Sequence, residues 1–452
     1  MPPAVRAIVS PLREALLGTL RGRGPAQAFA QSVATQILVI ALNVATGVLT
    51  ARLLGPEGRG VLAALVLWPH LFASLALAGV TSSLVFHMRT ASPQEVHRVL
   101  TAGLVLGGAC AAVGAAIGAV LVPQIMADRY AASVIALAVV ATLGVTFLDV
   151  YTVLLRNAFV ALGRVGTANA SGWANPALYL VLLLGISATG WLSGETAALG
   201  MFAAGALTLA FLCRQLALLW RADTAGLGAW LRRLGAYARR GAPGDAMLTV
   251  SAHADRIVLV ALIPAAEFGL YAVAYSFSRL LRVIDSGVAY AGLPAMAGRP
   301  AAEAKALHDP MFRFVLHAVA LGALGALLLG EPALRLLYGA EFAAGAPFLY
   351  VLVAEAALGC LGTVLAQLYL ASDRPGFLSA VQACSCAVLV VALLILVPLW
   401  GALGAAVALA IGAGVRLLGL GLGVKLVLGL RLPRITLDAA DLHRLRAGLR
   451  RA

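Results

Sequence analysis

Tyr271, Tyr275, Arg279 and Arg282 recur at i, i+4, i+8 and i+11, a spacing that puts all four on one face of a helix. The stripe covers ~16 Å at ~1.5 Å per residue, and it lies inside an apolar run. A guanidinium in hydrocarbon is costly unless it is paired or faces a polar cavity. Two readings follow, and the residues alone leave both open. In one, the arginines close a salt-bridge network between the two halves, and Asp285, three residues after Arg282, can pair with it. In the other, they line a cationic cavity. The planar guanidinium fork then donates paired hydrogen bonds to a phosphate, while tyrosine offers a ring face to a sugar or apolar group and a hydroxyl to hydrogen-bond it. Arg256, beside Asp255 and near His253, reaches a similar depth from another run.

The first half of the chain offers less. An offset of 209 from Arg279 lands on His70, next to Trp68 and Pro69, where the proline is expected to kink the helix. Asn43 adds hydrogen-bonding capacity. The substrate-binding candidates are therefore Arg256, Arg279, Arg282, Tyr271, Tyr275, His70 and Asn43. Glu355, Asp255 and Asp285 are the candidates for coupling to a proton or sodium ion, and no other cofactor is expected. Asp149 and Arg156, close together in one apolar run, are expected to pair. No catalytic constellation or metal-ligand spacing emerges. Cys384-Ser385-Cys386 sits within an apolar run, and no Gly-rich loop ends in Lys-Ser/Thr, so the chain is not expected to be an enzyme.

The elements that must hold these residues are long and apolar. The 452 residues are 62% hydrophobic and 12% charged, against ~25% charged in an ordinary soluble domain, and the mean hydropathy is +0.96. A membrane span needs ~20 mainly apolar residues. Twelve such stretches fall at about 29–51, 61–86, 99–122, 131–154, 167–187, 197–220, 245–263, 269–296, 311–330, 347–371, 377–397 and 402–424. The expected fold is an all-α polytopic membrane protein with about twelve transmembrane helices.

Charge then orients the spans. With the N-terminus inside, 24 of the 33 Lys and Arg residues fall on cytoplasmic segments and 4 on outer loops, counting Arg313 at the inner end of its span. The positive-inside rule thus makes both termini cytoplasmic. The net charge of +14 reflects topology, and nucleic acid drops out as a partner. Residues 1–28 read as a cytoplasmic amphipathic segment and 425–452 as a basic cytoplasmic tail. Residues 221–244 form a basic amphipathic linker, with Leu227, Trp230, Leu231, Leu234 and Tyr237 on one face. Such segments suit anionic membrane lipids.

The two halves resemble each other. Arg164-Val165-Gly166 recurs as Arg374-Pro375-Gly376 at an offset of 210, and Gly60-Val61-Leu62-Ala63 as Gly269-Leu270-Tyr271-Ala272 at 209. Two pseudo-symmetric six-helix lobes follow, spans 1–6 over 29–220 and spans 7–12 over 245–424. A duplication of this kind is the architecture of alternating-access carriers.

Thr50-Ala51-Arg52-Leu53-Leu54-Gly55-Pro56-Glu57-Gly58-Arg59-Gly60 resembles the opening signature of the polysaccharide-biosynthesis flippases. Asp255-Arg256-Ile257-Val258-Leu259, with Glu267-Phe268-Gly269-Leu270-Tyr271-Ala272, is similar to the start of their second half. Leu337-Tyr338-Gly339-Ala340-Glu341-Phe342 and Asp373-Arg374 resemble their later hairpins. These are Wzx-type, MATE-like proteins of the multidrug/oligosaccharidyl-lipid/polysaccharide exporter superfamily. The resemblance implies a transporter of the cytoplasmic membrane that flips a polyprenyl-pyrophosphate-linked oligosaccharide for surface polysaccharide such as O-antigen or exopolysaccharide. It also implies partners in the polymerase and glycosyltransferase machinery. Related lipid II flippases usually carry two further C-terminal spans, so that branch is set aside. A cation-coupled multidrug exporter of the same superfamily is the first alternative, although span 1 offers Asn43 where those exporters carry an acid. A membrane-embedded enzyme acting on lipid-linked glycans is the second.

Overall fold

The computed structural model describes residues 25–220, 222–282, 296, 301–372 and 374–433. Eleven α-helices and no β-strand occur among the described residues. They are α1 Pro25–Ala76, α2 Val80–Thr90, α3 Val96–Met126, α4 Ala132–Ala161, α5 Val165–Ala188 and α6 Gly194–Ala217, then α7 Leu227–Leu262, α8 Ala265–Ser278, α9 Ala301–Tyr338, α10 Ala346–Ala371 and α11 Pro375–Leu426. Among the described residues, eight helical segments are long and apolar enough to cross a membrane. Two of these, α1 and α11, each hold two expected spans. Their halves meet at Gly55 (φ 65°) and Gly401 (φ 56°), a backbone region that any residue with a Cβ disfavours. The chain is an all-α, multi-pass membrane protein.

Three local features differ from the sequence expectation. The stretch 61–86 is interrupted by a turn ending at Gly79 (φ 73°), which separates α1 from α2. A Cβ on Gly79 would overlap the Ala238 carbonyl, so glycine is required both by the dihedral and by the close approach. The basic linker is not separate from the seventh span, because α7 runs unbroken from Leu227 to Leu262. Pro69 does not interrupt α1, whose single non-helical residue is Gly55. The amphipathic segment 1–24 and the tail from 434 lie outside the described residues.

By internal packing the chain divides into two units. Unit 1 takes the residues up to Leu54 and Val61–Thr249; unit 2 takes Gly55–Gly60 and the residues from Val250 on. The core of unit 1 joins Ala73 and Ala76 of α1, Leu84 of α2, Leu100 of α3, Leu154 and Phe159 of α4, and Leu212 of α6. Leu234 and Ala238 complete it, so the apolar face of the linker covers protein, with Leu227, Trp230 and Leu231 packed beside them. Polar ties pin that contact: Ser83 Oγ donates to the Leu234 carbonyl at 2.9 Å, and the Gly79 N–H donates to Asp245 Oδ2 at 2.9 Å. Arg232, Arg239 and Arg240 remain exposed on the opposite side.

Unit 2 is built around α10, which packs on α9, α11 and α8. Val315, Val319, Cys360 and Val364 form one cluster, and Leu365, Leu368, Tyr369, Leu420 and Val424 belong to another. Two repeat-related glycines meet in this unit. A Cβ on Gly60 would overlap the Ala265 carbonyl, and one on Gly269 would overlap the Pro56 carbonyl. At the second glycine bend, the Ala402 N–H donates to Glu267 Oε1 at 2.7 Å.

Candidate functional site

Unit 2 gathers most of the ionisable residues singled out by spacing. Asp255, on α7, is buried at 1% exposure, and its Oδ2 accepts the Tyr271 hydroxyl at 2.6 Å. That bond gives the buried carboxylate a donor. Tyr271, on α8, is fully buried. One turn on, Tyr275 lies with its ring 6.0 Å from that of Tyr271. The guanidinium carbons of Arg279 and Arg256 stand 4.2 Å and 5.0 Å from the Tyr275 ring centroid. A cation held over an aromatic face gains from the ring quadrupole, and gains more where water is scarce. Arg256 also has its Nε 3.8 Å from Asp255 Oδ1.

Helix α8 stops at Ser278, and Arg279–Arg282 form a 3-10 turn. The four-residue stripe is therefore not one continuous helical face. The turn instead aims both of its arginines at α10. Arg279 pairs with Glu355 through both terminal nitrogens, and Arg282 Nη1 lies 3.9 Å from Glu355 Oε1. Glu355 is itself buried. Gly359, one turn further along α10, leaves room for the Arg282 guanidinium, whose carbon is 3.4 Å from where a Cβ would stand. Sequence reasoning passed over Gly359; the i, i+4 spacing from Glu355 is the signal that identifies it.

The sequence candidates are thus placed as follows. Arg256, Arg279, Arg282, Tyr271, Tyr275, Asp255 and Glu355 converge on one network in unit 2. The tyrosines serve the protein first: Tyr271 holds Asp255, and the Tyr275 face is taken by guanidiniums, so neither ring stands bare for a sugar. Arg282 finds Glu355, and Asp285 lies outside the described residues. Asn43 belongs to unit 1 and stands exposed, its backbone carbonyl accepting the Thr46 hydroxyl at 3.0 Å.

His70 has a different partner from any expected. Its Nδ1 lies 3.5 Å from Asp149 Oδ2, so Asp149 pairs with α1 and not with Arg156 on its own helix. Arg156 turns instead toward Gly172 of α5, its Nη2 3.4 Å from the position of a Cβ there. Seven residues, about two turns, separate Asp149 from Arg156, which favours a partner on a neighbouring helix. Among the described residues, no group of three His, Cys, Asp or Glu side chains could hold a metal ion.

Solved structures share this fold. The lipid II flippase MurJ in an inward closed conformation superposes with a TM-score of 0.71 at 12% identity, over 87% of each chain. An inward-facing MATE family multidrug resistance transporter of the MOP superfamily gives 0.69 at 13% identity, over 86% of this chain and 94% of that one. An outward-facing MATE transporter gives 0.60 at 15%, over 92% and 97%. No family model and no curated protein matches the chain. At these identities the likeness is one of fold.

Proposed function

We propose that the chain flips a polyprenyl-pyrophosphate-linked oligosaccharide across the cytoplasmic membrane by alternating access, for cell-surface polysaccharide assembly. The observation that supports this reading is the clustering of arginines in unit 2. Three guanidiniums, Arg256, Arg279 and Arg282, gather around the carboxylates Asp255 and Glu355 and the face of Tyr275. Their side chains keep 23–32% exposure, so each can be reached by a ligand.

Without substrate, Glu355 spares Arg279 and Arg282 the cost of an unpaired charge in a poorly solvated place. An arriving pyrophosphate, with more charge and more acceptor oxygens than one carboxylate, competes for the same two forks. Arg256 and Arg279, braced on Tyr275, keep their heads in position for it. The prenyl chain stays in lipid, the glycan passes with the headgroup, and no covalent bond changes.

The test uses the full-length chain in liposomes with a fluorescently tagged, polyprenyl-pyrophosphate-linked oligosaccharide. Its transfer between leaflets is followed by a membrane-impermeant quencher. Transfer by the wild type, lowered at least tenfold in Arg279→Ala and in Arg282→Ala, is the expected result. Arg279→Lys should restore only part, since an ammonium is a point charge. Equal transfer by the alanine variants would sink the assignment of these arginines. Cleavage or extension of the glycan linkage would favour an enzyme instead.

A further inference from the structure

The first half of α7 carries an exposed basic surface in unit 1 that the transport site above does not use. Its apolar face, with Leu234 and Ala238, is already buried in the core of unit 1. The segment therefore cannot lie in a bilayer by that face, as a free amphipathic helix would. It runs antiparallel along α2 instead. His87 stands by Trp230, with ring centroids 6.4 Å apart, while Ser83 meets Leu234 and Gly79 meets Ala238. Residues 61–76 of α1 supply ~24 Å of helix, so the turn at Gly79 falls at the edge of a hydrocarbon layer ~30 Å thick. Helix α2 and residues 227–240 lie beyond it, at the level of the headgroups, on the side that the positive-inside rule makes cytoplasmic.

One flank of α7 is built differently from the rest. Trp230, Arg233, Tyr237 and Arg240 recur at i, i+3, i+7 and i+10, a spacing that aligns them along the helix. The Arg233 guanidinium carbon stands 5.0 Å from the Trp230 ring centroid. The Tyr237 ring stacks on Phe86 of α2, with centroids 5.0 Å apart and planes 19° from parallel. Both stacked rings stay open to the surroundings, Tyr237 at 37% and Phe86 at 47%. Arg89, one turn past Phe86, is exposed as well. Aromatic rings with this exposure settle at the boundary between lipid and water, where an apolar body and a polar tip are both satisfied.

The nearby acids are engaged elsewhere. Asp223 pairs with Arg98 at 2.7 Å, and Asp245 accepts the Gly79 N–H at 2.9 Å. Glu95, whose charge Arg233 feels, accepts the Ser92 hydroxyl at 2.8 Å and the Ser92 N–H at 3.2 Å. Among the described residues, no carboxylate pairs with Arg89 or Arg240. The surface thus presents cations and bare aromatic rings side by side at one depth.

We propose that this flank binds an anionic phospholipid of the inner leaflet by its headgroup. Arg240, beside the ring pair, donates its planar fork to the phosphodiester oxygens. Arg233, its head held on Trp230, adds a second positive charge ~10 Å along the axis, within a Debye length of the phosphate. Phe86 and Tyr237 lie against the glycerol backbone and the first acyl carbons. Phe86 belongs to α2 and the other residues to α7, so one bound lipid closes the exposed edge of the contact between these helices. The site stands whether or not the chain flips a glycan.

The full-length chain in detergent, offered equal amounts of dioleoylphosphatidylglycerol and dioleoylphosphatidylcholine, tests the site by mass spectrometry of the intact complexes. The wild type should retain phosphatidylglycerol in preference. Each arginine is worth about fivefold in affinity, so the double variant Arg233→Gln, Arg240→Gln should lower the preference at least tenfold. The double variant Arg233→Lys, Arg240→Lys keeps both charges, should recover part of the preference, and guards against a folding defect. Phe86→Ala with Tyr237→Ser should lower retention severalfold with the charge unchanged. No preference in the wild type, or an unchanged preference in the glutamine variant, overturns the proposal. An equal loss in Arg232→Gln, Arg239→Gln, on the opposite flank, also overturns it, since charge alone would then suffice. Displacement of the lipid by equimolar glycerol 3-phosphate would make this a site for a free phosphate, and displacement by a polyglutamate peptide one for an acidic protein. Either result overturns the lipid assignment.

Discussion

The two units place ionisable groups at matching points of a repeated helical plan, yet they solve the problem of charge in apolar surroundings differently. Unit 2 closes a network in which Glu355 meets two arginines and Tyr275 carries two guanidiniums on its face. Unit 1 makes do with one histidine and one aspartate, 43% and 26% exposed. The difference is chemical. A guanidinium must always have an anion nearby, whether that anion is Glu355 or a substrate phosphate. An imidazole can discard its charge, so its carboxylate partner is optional.

The largest test of this contrast is the loss of each acid in turn. Glu355→Gln leaves Arg279 and Arg282 without their carboxylate in a buried site and should cost about 3 kcal/mol, read as a lowered unfolding midpoint of the purified chain. Asp149→Asn should cost under ~1 kcal/mol, because the His70–Asp149 pair is long and partly exposed. Equal losses would erase the distinction between the units.

Tyr271→Phe comes next. It removes the hydroxyl donor from buried Asp255, with an expected destabilisation of ~2 kcal/mol, again by thermal or denaturant unfolding. No effect would mean that Asp255 is satisfied by other groups. Gly359→Leu should matter less to stability than to transport. The added side chain pushes the flexible Arg282 head away from Glu355, and glycan transfer should fall severalfold while the protein still folds.

The smallest effect is expected far from both pairs. Asp223 accepts the Ala225 N–H at 2.8 Å and pairs with Arg98 at 2.7 Å, which holds its carboxyl below the usual carboxylate range. A depressed carboxyl stabilises the fold above its unfolded value, about 3.9, and loses that contribution as pH falls below it. Protection of the amides in residues 222–226 against exchange, relative to the unstructured rate at the same pH, should therefore fall below about pH 4 in the wild type. Asp223→Asn should show quick exchange already at neutral pH, with little change in global stability.

Much of the fold was legible because its signal is local. Long apolar runs and the residues that break them mark spans without reference to partners, whereas the positive-φ bends at Gly55 and Gly401 came only from the backbone. The continuity of α7 was not legible, because the basic composition of 227–244 suggested a surface segment. Its apolar face, with Leu234 at its centre, covers unit 1 as a soluble helix covers its core. The candidate site was half legible. Spacing brought out Arg279, Arg282 and Tyr275, while the end of α8 at Ser278, the room beside Gly359 and the partner of Asp149 were not visible.

Composition and order of residues determined that this chain is helical, spans a membrane repeatedly and carries a repeat with arginine on one side and histidine on the other. Hydrophobic length and charge asymmetry act over a few neighbouring residues, so they survive in the sequence as patterns. Pairing was decided only by the tertiary structure. Arg279 meets Glu355 across 76 residues and His70 meets Asp149 across a similar span. In spans that are apolar on the lipid-facing and the packed side alike, no local pattern says which way a helix turns. Helix packing alone chooses the face, and with it the charge that each buried group will meet.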